Sequence, residues 1–249
     1  MALKVGITIP NEGHTLPEAY DNRLQFTFHL GRYSELTKDP ATGLPKYEFY
    51  FGTVGRVLTP LARERLTEWA IEMGLDVILM IDDDMIIPMD MFERLYATML
   101  KHRADVVAPL AFMRNPPHYP VIYRAREGYD AMTHKPYFER EFVKTYPKDS
   151  VVECDAVGFG SALIDLKMVK RMRKPYFMST TGAGEDIWFC YSAKREANAK
   201  IVMDTSIKLG HMGTPALITE ETYEKHNDVD ALRERFGDAP KERENAGAC

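Results

Sequence analysis

The sequence predicts an α/β fold in a single domain, with a mostly parallel central sheet flanked by helices, and three observations carry that prediction. The stretch Val77-Ile78-Leu79-Met80-Ile81 is a continuous apolar run, the pattern of a parallel strand buried on both faces. Segments with helical periodicity lie on either side of it, and the order strand, helix, strand, helix, strand with short connections favours right-handed crossovers on one sheet. A chain of 249 residues is long enough to bury one large core.

Taken in order, Lys4 to Ile9 alternates and breaks at Pro10-Asn11-Glu12-Gly13, which reads as a first strand running into a loop. From Thr15 to Gly52 the sequence is aromatic, polar and turn-rich. Its Asp39-Pro40-Ala41-Thr42-Gly43 suggests a hairpin or an irregular insertion. A helix is expected from Thr59, where Pro60 suits the first turn; Leu66, Ala70 and Met73 share a face before Gly74 ends it. After the apolar strand, Pro88 opens a second helix with Met91, Phe92, Leu95, Tyr96, Met99 and Leu100 on one side. Asp105 to Ala108 reads as a strand and Pro109 to Pro120 as a proline-rich loop. Glu185 to Ala197 is helical, Ile201 to Met203 and Ser206 to Leu209 are two short extended runs, and one helix is expected around Val229 to Phe236 before a frayed tail. The expected division is a main domain over 1–213 and a charged helical tail over 214–249.

Composition is that of an ordinary soluble enzyme: 45% hydrophobic, 28% charged, with a formal net charge of −5 from 32 basic and 37 acidic residues. A mildly acidic chain argues against broad, non-specific nucleic-acid binding. No apolar run reaches the roughly 18 residues of a membrane span, and Met1 to Gly6 leads straight into a strand pattern rather than a signal peptide, so a cytoplasmic protein is expected. Cys154, Cys190 and Cys249 are odd in number, far apart and lack metal-ligand spacing, so they read as reduced thiols without a function.

The chemistry begins where the apolar strand stops, in Asp82-Asp83-Asp84. A strand interior does not bury three unpaired carboxylates, so they belong at a strand end, where ligands of open α/β sheets gather. Hard oxygen ligands there suit Mg²⁺ or Mn²⁺, ions that commonly arrive with a diphosphate. Further on, Gly158-Phe159-Gly160 lets the backbone approach a ligand while the ring offers a platform. Gly182-Ala183-Gly184-Glu185-Asp186 puts two acids at a helix start after a glycine loop; they either merely stabilise the first turn or deliver a general base. His211, between Gly210 and Gly213, is either a loop residue or a metal ligand.

In that order, these segments resemble the GT-A glycosyltransferases, particularly family-2-like members of the small bacterial or phage type. The resemblance covers most of the chain from Lys4 to Gly213 and leaves 11–52 and the tail poorly matched. It implies that the Asp-x-Asp element binds a nucleotide diphosphate sugar through Mn²⁺ or Mg²⁺: Asp82 at the ribose or the metal shell, Asp83 between, and Asp84 as a direct metal ligand. By the same resemblance His211 is a metal ligand and Asp186 is the base that activates the acceptor, with Glu185 as second choice or acceptor ligand. The loop Thr8-Ile9-Pro10-Asn11 matches the place that holds the nucleobase.

Arg63 and Arg114 either face the diphosphate or coat the surface. Gly158, Phe159 and Gly160 would line the acceptor side, and Trp188 would stack on the acceptor sugar or anchor its helix. Phe112, Tyr119 and Tyr123 read as packing residues. The expected reaction is metal-dependent transfer of a sugar to an acceptor hydroxyl on a glycan, a metabolite or a modified DNA base, with inversion if Asp186 reaches the acceptor and with retention open if it does not. Alternatives are a non-catalytic nucleotide- or glycan-binding protein and a sugar-phosphate nucleotidyltransferase. Against the latter stands the sequence after Ile9, Pro-Asn-Glu-Gly-His, which lacks a glycine-rich phosphate loop with basic residues.

Overall fold

The computed structural model describes residues 2–11, 16–130, 135–180, 183–213 and 217–239, with side chains throughout except at 126–130 and 135–139. Glu12, Gly13, Gly182 and the tail end with Cys249 therefore lie outside the described residues. The chain is a mixed α/β domain around a seven-stranded, mostly parallel sheet.

Strands β1 (Leu3–Asn11), β2 (Tyr47–Gly55) and β3 (Val77–Ile81) run parallel, joined through helices α1 (Pro17–Leu36) and α2 (Thr59–Glu72). A short strand β4 (Met85–Ile86) leads to α3 (Met91–His102) and β5 (Val106–Leu110). A three-stranded sheet follows, built from β6 (Ile122–Asp130), β7 (Lys135–Phe142) and, beyond β8 (Val151–Glu153), β9 (Ala156–Val157). Next come β10 (Ser161–Asp165), α4 (Leu166–Val169), α5 (Glu185–Ala197) and β11 (Ile201–Lys208). The chain then passes through β12 (Gly210–Met212), β13 (Leu217–Ile218), α6 (Glu220–His226) and α7 (Val229–Phe236). The main sheet has the order β2-β1-β3-β10-β5-β11-β8, and β12 pairs with both β4 and β13 in a small second sheet.

Alternation along β3 explains the layers. Val77, Leu79 and Ile81 face a core shared with Phe26 and Leu30 of α1 and Phe92 and Leu95 of α3; Ile78 and Met80 face one shared with Ala70 of α2 and Ile187 and Phe189 of α5. Phe92 is the hub of the first layer, with Tyr33, Tyr47, Phe49 and Tyr96 around its ring at centroid distances of 6.5, 5.6, 5.1 and 5.8 Å.

Several sequence expectations are corrected. The stretch from Thr15 to Gly52 is not a hairpin or an insertion: it holds the twenty-residue α1 and most of a parallel edge strand, completing a βαβ unit with β1. The buried face of α1 is Ala19, Arg23, Phe26 and Leu30; a charge within the stripe, and Tyr20, Leu24 and Phe28 left exposed, hide the helical period. Met73 and Leu100 are exposed rather than packed: Met73 is the residue that caps the end of α2, and Leu100 falls off the buried face of α3, which runs through Phe92, Leu95, Met99 and His102. Ile201 to Met203 and Ser206 to Lys208 are parts of one strand, with a bulge after Asp204, and Leu209 follows its end. In the proline-rich segment, β5 continues through Pro109 to Leu110 before the loop begins.

The bulge is a polar knot. Asp204 is only 6% exposed, and its carboxylate accepts from the Thr98 hydroxyl (2.7 Å) and from the Ser206 amide and hydroxyl (3.0 and 2.6 Å). Arg94 of α3 donates to the Ser206 carbonyl at 2.8 Å. Buried polar groups satisfied this fully fix the strand's course. At the C-terminal end, Tyr223 of α6 stacks on Phe112 (5.3 Å). Cys154 and Cys190 are buried free thiols. Among the described residues no helix is long and apolar enough to cross a membrane.

Truncating the hub should be costly. Phe92→Ala is expected to lower unfolding stability by about 3–5 kcal/mol, the range for large core aromatics, measured by denaturant titration; a loss below about 1 kcal/mol would mean the ring cluster does not act as a unit.

Candidate functional site

The strand directions bring the chemistry together. β1, β3, β5 and β11 run the same way and deliver Asn11, Asp82 and the segments leading to Arg114 and His211 to one edge of the sheet. β10 runs against β3, with Ser161 opposite Ile81, so the Gly158-Phe159-Gly160 segment that precedes it arrives at that same edge. The Asp82 amide donates to the Gly160 carbonyl at 2.9 Å.

Arg63, on α2 and 2% exposed, is the centre of the site. Its Nη2 donates to Asp82 Oδ1 (2.7 Å) and to the Phe159 carbonyl (3.0 Å), and its Nη1 donates to Glu185 Oε1 (2.6 Å). The guanidinium also lies 5.6 Å from the Phe159 ring centroid. Burial works against its charge, but Asp82, Glu185 and Asp186 more than offset that and raise its pKa. Asp82 pays the other side of the exchange: burial pushes its carboxyl up to about 6 although Arg63 pulls it down.

A second arginine, Arg23 of α1, is 7% exposed and donates from Nη2 to the Asp82 carbonyl at 2.7 Å. Burial lowers its pKa, opposed by the charges of Asp83, Asp84 and Asp82. It fixes the backbone of the acidic turn that Arg63 holds by a side chain.

Asp84 belongs to a separate group. Its Oδ2 accepts from His211 Nε2 (3.1 Å) and from Arg114 Nη2 of the proline-rich loop, while His211 Nδ1 bonds the Phe112 carbonyl at 2.7 Å. Both ring nitrogens face acceptors, an arrangement that suits the imidazolium. Burial disfavours that charge, but Asp84 overrides it and raises the His211 pKa; in return His211 and Arg114 outweigh the burial of Asp84 and hold its carboxyl below the ordinary value.

At the start of α5, Glu185 is committed to Arg63, whereas Asp186 Oδ1 accepts from the Ile187 amide at 2.7 Å. Burial raises the Asp186 pKa, against the pull of Arg63. Gly158 is favoured by close approach, since a Cβ there would come within 2.8 Å of Val121 Cβ; at Gly160 a Cβ would displace the flexible end of the Met85 side chain.

Of these groups Arg63, Asp82, Glu185, Asp186 and His211, together with Tyr123, line a cleft of about 260 Å³, while Arg23, Asp84 and Arg114 lie outside its lining. Other expected residues fall elsewhere. Thr8 is fully buried, with its hydroxyl on the Leu79 carbonyl (3.4 Å), and Pro10 is buried, so neither side chain is open to a nucleobase; Asn11 is half-buried at the strand end. Phe159 is 1% exposed and its ring packs between Phe189 (5.3 Å) and Phe177 (6.1 Å), so it is a core ring and not a sugar platform. Trp188 sits on α5 beside Tyr191 (6.4 Å), outside the cleft lining. The sequence reading missed Arg23, for which a charge at a core position of a helix was the available signal, and took Tyr123 for packing alone.

Among the described residues no group of three or more His, Cys, Asp or Glu side chains is arranged to hold a metal ion. Asp84 and His211 are hydrogen-bonded to each other, and the Nδ1 bond to Phe112 makes Nε2 the nitrogen that could serve a cation once its proton is released. Asp82 is turned to Arg63 instead.

No protein-family profile matches this sequence, and no curated protein matches it. Among solved structures the chain is similar to A197 from STIV, at 17% identity and a TM-score of 0.57, over 84% of this chain and 86% of that one. The shared feature is the fold. Weaker likenesses are to S. aureus TarS 1-349 (13% identity, TM-score 0.44, 82% of this chain and 59% of that one) and to an apo UDP-glucose pyrophosphorylase (9%, 0.49, 94% and 99%).

The Asp84–His211 pair has a defined pH window. Asp84 is held below its ordinary 3.8 and His211 above its ordinary 6.5, so the pair contributes stability between about pH 4 and 6.5. That contribution is lost on the acid side as Asp84 takes a proton and on the alkaline side as His211 gives one up. His211→Ala should therefore lower the thermal midpoint most inside this window and less near about pH 9; an equal loss at every pH would show that the charges add nothing.

Proposed function

We propose that this chain is a metal-dependent glycosyltransferase that moves a sugar from a nucleotide diphosphate sugar to an acceptor hydroxyl with inversion. The observation that carries the reading is the division of labour at the α5 start: Arg63 holds Glu185, leaving Asp186, half-buried in the cleft lining, as the carboxylate of the pair with a raised pKa. A carboxylate tied to an arginine is a poor base, whereas one raised by burial is better matched to neutral pH.

In this scheme the acceptor oxygen attacks the anomeric carbon as the bond to the diphosphate oxygen breaks. Asp186 takes the hydroxyl proton and the diphosphate leaves with the bonding pair. Arg63 and Arg114 bring positive charge to the side of the cleft where negative charge develops, and Arg23 keeps the acidic turn in place. Asp84 and His211 would hold Mn²⁺ or Mg²⁺, which when bound neutralises the diphosphate as it departs. Metal binding then requires His211 to lose its proton and Arg114 to leave Asp84, which frees that arginine for the donor.

The test is nucleotide release from a panel of UDP-, GDP- and dTDP-sugars with Mn²⁺, Mg²⁺ or EDTA. Metal-dependent release from one donor is expected; metal-dependent nucleotide binding without donor consumption, with candidate acceptors present, would leave a binding protein. Two variants divide the roles. Asp84→Ala should abolish metal-dependent nucleotide affinity by calorimetry, and an unchanged affinity removes the metal assignment. Asp186→Asn should keep donor binding and lose transfer by about two to four orders of magnitude; near-normal turnover moves the base elsewhere.

A further inference from the structure

Behind Tyr123 lies a second cavity, of about 560 Å³, between the β6–β7 hairpin and the end of α7. Its lining includes Arg124, Arg140, Lys144, Phe142 and Phe236. Two of the three cations are organised on aromatic faces: Lys144 Nζ lies 4.1 Å from the Phe236 ring centroid and 5.4 Å from that of Tyr119, and the Arg140 guanidinium lies 5.6 Å from both Tyr123 and Phe142. Aromatic faces hold these charges in place without neutralising them. Two acids also line the cavity. Asp238 is spanned by Arg233 (3.0 and 3.2 Å), which leaves Glu141, across the ladder from Arg124, against the three cations. Among the described residues none of the three lies within ion-pair distance of an acid, although the Arg124 charge also acts on Asp155 and helps to hold its carboxyl below the ordinary value.

Tyr123 links the two through Phe142, which lines the second cavity. It is 5% exposed, lines the first cleft with Asp186, and its ring packs on Phe142 at 5.1 Å on the side of the cationic cavity. Burial, and next the charge of Asp186, raises the pKa of its hydroxyl, in keeping with its place beside the base. Lys194 of α5 anchors the arrangement through Asp155 (2.5 Å), which accepts the Ala125 amide of β6 at 3.0 Å.

The geometry points to an acceptor subsite for an anionic group: the cavity of Arg124, Arg140 and Lys144 holds a phosphate or carboxylate of the acceptor while a neighbouring hydroxyl reaches Asp186 across Tyr123. This rests on the transferase reading of the cleft for the word acceptor, while anion binding itself does not. A chain with a net negative charge has little reason to gather three cations at one cavity unless they meet an anion.

The probes are linear inorganic polyphosphate and poly-glutamate, titrated by calorimetry in EDTA so that no metal enters. Wild-type protein should bind polyphosphate, with affinity falling roughly tenfold or more between about 50 and 200 mM salt, as expected for three neutralised phosphates. Binding of poly-glutamate as well would extend the site to carboxylates, and polyphosphate alone would limit it to phosphate. The triple variant Arg124→Gln, Arg140→Gln, Lys144→Gln should lose roughly tenfold or more of this affinity, while keeping its metal-dependent affinity for nucleoside diphosphate. Arg140→Lys, which preserves charge, should bind polyphosphate like wild type, separating lost charge from lost folding. The proposal is overturned if wild type binds neither polymer, if the triple variant binds as well as wild type, or if nucleoside diphosphate competes with polyphosphate. Intact anion binding in a protein that releases no nucleotide from any donor would overturn the transferase reading instead.

Discussion

A single buried cation organises this molecule. Arg63 is taken almost wholly out of water, a transfer that is unfavourable unless its donors are met; Nη1 and Nη2 are met by three segments far apart in sequence, the turn after β3, the loop before β10 and the start of α5, while among the described residues Nε has no hydrogen-bond partner. Each of those carboxylates would in turn be stranded without it. The mutual dependence fixes how α2, the sheet edge and α5 sit together, and it decides which acid of the Glu185-Asp186 pair is occupied and which is left to the cleft.

That arrangement depends on a topological detail of the sheet. Were β10 parallel to β3, its preceding loop would lie at the opposite edge, and neither the Phe159 carbonyl nor the two glycines could meet the acidic turn. Reversal of one strand between β3 and β5 converts a connection into part of the cleft wall. The second sheet does the same for His211, whose strand β12 pairs with β4 immediately after the acidic turn, bringing histidine and Asp84 together.

Much of this was legible locally. β3 ends in acids because a doubly buried strand cannot hold them; α2, α3, α5 and α7 carry helical spacing; the acids and histidine that converge were all visible as residue types at element ends. What was not legible is what depends on partners. The α1 stripe contains Arg23, whose burial makes sense only once the Asp82 carbonyl and its neighbouring carboxylates are in place, and its outer face carries apolar residues that blur the period. The Arg63–Glu185 pair spans 122 residues and leaves no local trace. Phe159 looked like an exposed platform because glycines flank it, yet the glycines serve Val121 and Met85, and the ring completes the core with Phe177 and Phe189.

The polar knot in β11 has a reach beyond its own strand. By inserting residues after Asp204, it lets one strand finish its work in the main sheet and re-emerge displaced, so that Gly210 to Met212 enter the second sheet with His211 opposite Met85. The position of the imidazole is thus inherited from a carboxylate that never touches the cleft. A chain of this fold that carries the histidine but not the acid at 204 would need another anchor for it, which makes the pair, more than either residue, the trait to follow when sequences of this fold are sorted by chemistry.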